Sequence, residues 1–229
     1  MYNILTMQKT TIKISQISFS AVLVVLFLII LTYFGTGFVI AQTSASDTVV
    51  VTLNVTSGIA IDSPADVTMS RNLSMSNMTA VGTSTWTVTT NNITGYSLTI
   101  KATSSPAMQQ NATTTIDDYH TGTPDTWSVS AGTAKFGYSA YGTDVTTVPT
   151  SPWGTGSTCS SAVNTHAPST SLKYLGFTTS TSSPEIARRS ATTTFAGSAT
   201  TVCFAVEQNA FYISSGTYTA TIIATAVTI

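Results

Sequence analysis

The chain has 229 residues and a formal net charge of −1, and only 7% of its residues are charged, against about 25% in ordinary globular proteins. No basic patch exists, and after residue 41 six basic residues face nine acidic ones, which argues against nucleic acid as a partner. Threonine (47) and serine (30) make up a third of the chain, but three Trp, nine Tyr, nine Phe and only seven Pro set it apart from a disordered Ser/Thr stalk. Threonine is β-branched and fits a pleated, half-buried surface, so the expected class is all-β, with hydroxyls rather than charges wetting the outer faces.

Lys9 and Lys13 precede Ser18 to Ala41, a stretch without charge whose densest apolar part is Ala21 to Phe34. Lysines, an apolar run and a small-residue site follow the order of a secretory signal, with cleavage after Ala41. The stretch is also long enough to span a bilayer, so an uncleaved anchor with the lysines inside is the competing reading. Either way the rest is expected to be exported, and any membrane contact to be confined to residues 18–41. The expected domains are 1–41 as signal or anchor, 42–47 as linker and 48–229 as one antiparallel β-sandwich.

Thr48 to Thr56 (TVVVTLNVT) alternates, with Val49, Val51, Leu53 and Val55 on one face, and reads as a strand. Gly82 to Thr103 carries two further alternating runs. Trp86 and Val88 share one face, Tyr96, Leu98 and Ile100 another, and Asn91 to Gly95 supplies turn residues between them. The expectation is an antiparallel hairpin with a five-residue loop. Lys135 to Ala140, Leu172 to Phe177, Thr200 to Glu207 and Gly216 to Ile229 read as later strands, and Tyr141 to Thr170 as a long surface excursion. One short helix is expected at PEIARRSA, with Ser183 as N-cap and Pro184 as its first residue. Gly216 to Ile229 has no charge, so it is expected to be internal and paired on both sides, beside the strand at 48–56.

Cys159 lies in the excursion and Cys203 in an apolar strand. In an oxidising compartment a bond between them ties the excursion to the core; two unrelated buried thiols are the alternative. Asn-x-Ser/Thr triplets at Asn54, Asn72, Asn77, Asn92 and Asn111 matter only if the source glycosylates exported asparagines.

Two stretches, Gly95-Tyr96-Ser97-Leu98 and Gly216 to Ala226 with its Tyr218 and Ile222, resemble the motif strands of WxL-type surface β-sandwiches of Gram-positive bacteria. Tyr96 and Ala224 stand where that family has tryptophans. The resemblance implies a cell-surface sandwich, without the residues to which the family's wall binding is attributed.

For chemistry the sequence offers little. Asp117 and Asp118, beside Tyr119 and His120, can present oxygens to a cation such as calcium, but their spacing is that of a solvated loop and no metal is expected. Glu185 and Glu207 show no glycosidase-like pairing, and no P-loop, Rossmann, C-x-x-C or G-x-S-x-G pattern occurs, so neither an enzyme nor a cofactor is expected. Trp153, between Pro152 and Gly154, and Tyr141 are the candidate ligand surface, since rings with polar edges suit sugars and proteins alike. Three roles remain: a surface protein with a structural, adhesive or envelope-binding role, touching an envelope polymer or another surface protein; a fibre subunit self-associating by strand addition; and a carbohydrate-binding module.

Overall fold

The computed structural model describes residues 20–33, 46–148, 153–162, 165–177 and 183–229, which places the cleavage position after Ala41 and most of the expected linker outside the described residues. Contacts divide the chain into two units, residues 1–54 and 55–229. In the first unit residues 20–33 are helical, with exposed side chains, and residues 46–54 have no regular structure. Among the described residues no helix is long and apolar enough to cross a membrane.

The second unit is built from strands. They are β1 (Ile59–Ile61), β2 (Thr79–Thr90), β3 (Tyr96–Ala102), β4 (Met108–Asn111), β5 (Thr114–Asp118) and β6 (Asp125–Thr126). Then follow β7 (Thr133–Gly142), a 3-10 turn (Thr143–Thr147), β8 (Lys173–Tyr174), β9 (Glu185–Arg189), β10 (Ser198–Asn209) and β11 (Ile222–Thr228). Six strands form one sheet in the order β1-β2-β10-β7-β5-β4, three form a second in the order β11-β3-β9, and β6 pairs with β8. The large sheet is mixed: β5 runs parallel to β7, with Asp117 opposite Lys135, where all-antiparallel pairing was expected.

Alternation decides which side chains are inside. In β2 the threonines 83, 85, 87 and 89 point away from the core, and Thr85 Oγ1 meets Thr201 Oγ1 of β10 at 2.9 Å. Trp86 and Val88 point inward with Tyr96, Leu98 and Ile100 of β3, and all five are buried. These two strands do not form a hairpin: β2 pairs with β1 and β10, β3 with β11 and β9. Residues 91–95 are a corner between sheets. Asn92 Oδ1 accepts from the Thr94 backbone N–H at 3.0 Å, and Gly95 has φ +84°, where an added Cβ would collide with the Arg189 carbonyl. A five-residue loop serves a hairpin or a corner, and facing apolar strands on one core satisfy the same alternation.

The two larger sheets share that core. Trp86 and Val88, Tyr96 and Leu98, Phe136 and Tyr138, Ile186, and Val202 and Phe204 belong to one buried cluster. A second cluster lies on the opposite side of β10: Val81, Cys203 and Ala205 meet Cys159, Leu172 and Tyr174. The described part of the stretch read as a surface excursion therefore packs on the outer face of the large sheet through Cys159. Cys159 and Cys203 are joined in a disulfide with Cα atoms 5.2 Å apart, closing a 44-residue separation.

Three further expectations are corrected. PEIARRSA is not a helix; Glu185–Arg189 is a strand whose Ile186 and Ala187 are buried against β3. Tertiary burial of two adjacent residues overrides the weak capping signal. Residues 48–56 form no strand, because alternation defines an apolar face but not a partner. Finally, among the described residues β11 pairs with β3 alone and is an edge strand.

Trp153 is 2% exposed and Trp86 8%, so Trp153→Ala and Trp86→Ala should each cost about 3–5 kcal/mol of stability. Denaturation midpoints check this; a Trp153→Ala midpoint equal to wild type would show that the ring does not pack as described.

Candidate functional site

The residues predicted to meet a ligand are mostly internal. Trp153 packs with its ring centroid 5.3 Å from that of Tyr138, and its carbonyl accepts from the Lys173 N–H at 2.9 Å, so it is not a ligand platform. Proline and glycine neighbours suggested exposure, but Gly154 (φ +88°) lets the chain lie against Ser171, which seats the indole inside. Tyr141 is half-buried beside the second cluster, and burial raises its pKa. Tyr138 and Tyr174 are buried more deeply and shifted upward for the same reason. Among the described residues of the second unit, the exposed rings are Phe195, Phe211 and Tyr212, which the sequence hid in turn-rich stretches without alternation.

The acidic pair separates onto two sides of β5. Asp117 faces Lys135 Nζ at 3.3 Å across the parallel ladder. Asp118 accepts from the Ala107 N–H and from Ser105 Oγ, both at 3.1 Å, and burial raises its pKa despite those bonds. Among the described residues no group of three or more His, Cys, Asp or Glu is placed to hold a metal ion.

A polar hub that sequence reasoning missed is Asp144, in the 3-10 turn and 3% exposed. Its carboxylate accepts from Tyr96 Oη at 2.8 Å, Ser198 Oγ at 2.5 Å and Arg189 at 3.3 Å. It thereby links β3, β10 and β9. Burial raises the Tyr96 pKa to about 12; the Ser198 bond opposes the shift, and the bond and charge of Asp144 add to it. Only the fold brings these four residues together, and these three bonds hold strands rather than facing a cavity.

What the described residues leave open is an edge. Three of the four outer strands of the two larger sheets are protected. β1 has three residues, β4 is short with a register shift, and β9 carries Glu185, Arg188 and Arg189. Short length, bulges and charge all discourage pairing with another chain. β11 is different: it has seven residues and no charge, and its inward Ile222, Ala224 and Ala226 are only half-buried although they pack on the core. In the first unit Val49, Val50, Val51 and Leu53 are 82–88% exposed, and Val55 of the second is 74% exposed. Beyond the start of β11, Met69, Leu73, Met108, Tyr212 and Tyr218 line a cleft of about 560 Å³.

Comparison with protein-family models, with curated proteins and with solved structures finds no match. The second unit offers an uncharged sheet edge at β11; separately, the apolar side chains at 49–53 of the first unit are exposed among the described residues.

Burial alone would raise the Glu185 pKa, but hydrogen bonds from Arg188 and Ser97 and the charge of Arg188 lower it below the ordinary 4.5. A lowered carboxyl pKa gives stability that is complete above the unfolded value and lost as pH falls through the folded one. Glu185→Gln should therefore flatten the decline of Tm below about pH 4.5. Identical acid limbs for the two proteins would remove Glu185 from that role.

Proposed function

We propose that this chain is an exported, non-enzymatic protein of the cell surface, a β-sandwich with a structural, adhesive or envelope-binding role. The observation that carries the reading is the Cys159–Cys203 disulfide in a strand-rich unit preceded by an uncharged apolar stretch. Disulfides persist in oxidising compartments and are rare in the cytosol. Two larger sheets sharing one core support the sandwich, and a surface wetted by hydroxyls suits a protein displayed outside the cell. Residues 18–41 supply either the signal that is removed or the anchor that remains. The partner is an envelope polymer or another surface protein, and the WxL-like features at Tyr96 and Tyr218 point the same way.

A second reading, a fibre subunit, is favoured by one specific observation: an exposed apolar segment and an uncharged strand edge occur in the same chain.

The disulfide should matter to stability as well as to location. Its loop of 44 residues corresponds to about 4 kcal/mol in the chain-entropy estimate, and measured losses are typically about 2–4 kcal/mol. The Cys159→Ser/Cys203→Ser double variant should unfold at lower denaturant concentration by that amount; an unchanged midpoint would show that the bond restrains nothing. Fractionation of the native cells tests the location. The protein is expected in the envelope or the medium, yielding a Cys159–Cys203 linked peptide when digested without reduction. Cytosolic protein with two free thiols would overturn the proposal.

A further inference from the structure

We infer that residues 48–56 of one copy add as a strand to the free edge of β11 in a second copy, so that the protein polymerises head to tail. The inference rests on the exported structural reading and names the partner: another copy of the same chain.

The donor segment is TVVVTLNVT. Its apolar residues Val49, Val51, Leu53 and Val55 recur at period two and are 74–88% exposed, and it carries no charge. A run of that kind gains nothing by remaining in water, where every buried methylene would be worth about 0.8 kcal/mol. Its root is held. Asn91 Oδ1 accepts from the Gly58 N–H at 2.7 Å, and Asn91 Nδ2 donates to the Thr56 carbonyl at 2.8 Å. Thr56 and Gly58 are thereby fixed at the corner between β2 and β3.

The acceptor is β11. One side pairs with β3 from Ile222 opposite Ala102 to Thr228 opposite Tyr96; the other has no ladder partner among the described residues, although β1 lies close to β11 without pairing with it. Its inward side chains Ile222, Ala224 and Ala226 touch the core yet stay half-exposed, so the core beneath this edge is incompletely covered. Two of those three are alanines, which leave space for larger side chains from an added strand. An added strand fills such a site in two ways: its backbone satisfies the edge, and its alternate side chains complete the core. The donor is long enough to span the acceptor, since nine residues extend about 30 Å and the seven of β11 about 23 Å at roughly 3.3 Å per residue. The other outer strands of the larger sheets are short, interrupted or charged, and so poor templates.

Donor and acceptor are different surfaces, so the contact is heterologous. Every subunit added presents a new donor and a new acceptor, and growth continues as an open chain rather than closing at a dimer.

The test uses the full chain in detergent. Leu53→Cys and Ala224→Cys are made as separate variants with different tags, mixed, and treated with a short bis-maleimide. A heterodimer carrying both tags is expected, and it should be lost when Phe195→Cys, at a fully exposed site elsewhere, replaces Leu53→Cys. In parallel, Val51→Asp/Leu53→Asp should abolish multimers in size-exclusion chromatography while leaving Tm unchanged, because both side chains are exposed in the single copy. No mixed heterodimer, cross-linking only within one copy of a Leu53→Cys/Ala224→Cys double variant, or multimers that survive the two aspartates would each overturn the inference. An exported, disulfide-bonded monomer would sink this inference alone, whereas reduced cytosolic protein would sink the reading beneath it.

Discussion

The structure of residues 55–229 depends on β10 being buried on both faces. Val202, Phe204 and Val206 point into the core shared by the two larger sheets, while Cys203 and Ala205 point the other way, into the second cluster. A strand in that position needs a cover on each side. The three-stranded sheet supplies one. Residues 153–162 and 165–177 supply the other, and the disulfide fastens that cover to the strand it covers. The neighbouring β7 shares the arrangement, with Phe136 and Tyr138 inward and Gly137 lying under the Leu175 carbonyl and the Trp127 ring. At Gly137 an added Cβ would come within 2.8 Å of that carbonyl; the cover approaches too closely for any side chain.

Burial at the centre leaves the edges as the place where the protein can meet something else. Asp144 pins β3, β9 and β10 together from one side, using a carboxylate whose bonds to Tyr96, Ser198 and Arg189 hold three strands at once. Removing water from a carboxylate is costly unless donors replace it, and these do. On that side the three-stranded sheet ends in β9, with its charges. On the other side it ends in β11, with none. This asymmetry is what makes β11 the edge most open to pairing, because an uncharged edge either finds a partner or aggregates.

Much of the strand content was readable from residue order. Period-two alternation placed Trp86, Val88, Tyr96, Leu98 and Ile100 inside, and the apolar run around Cys203 marked β10. The hairpin between β2 and β3 was misread, because alternation specifies a face and is silent about which strand lies alongside. The same silence explains 48–56, a run with strand character but no ladder partner among the described residues, and β11, expected between two strands and found at an edge of the described sheet. β9 was hidden for a different reason: Ser183, Pro184 and Glu185 give a local helix-start signal, and only the burial of Ile186 and Ala187 against β3 overrides it. Asp144 carried no signal at all, since its three donors lie 45 to 54 residues away.

By itself, then, the sequence determined the β-rich class and the apolar faces of most of its strands, and left its two cysteines a single possible pairing that the structure makes. These follow from composition, period and count, which are local or global properties of the chain. Tertiary structure alone decided which strands are neighbours, that the stretch around Trp153 is a cover rather than an excursion, and that β11 is left with one open side. Each of those outcomes depends on competition among distant segments for the same backbone hydrogen bonds and the same core volume. No window of sequence contains that competition.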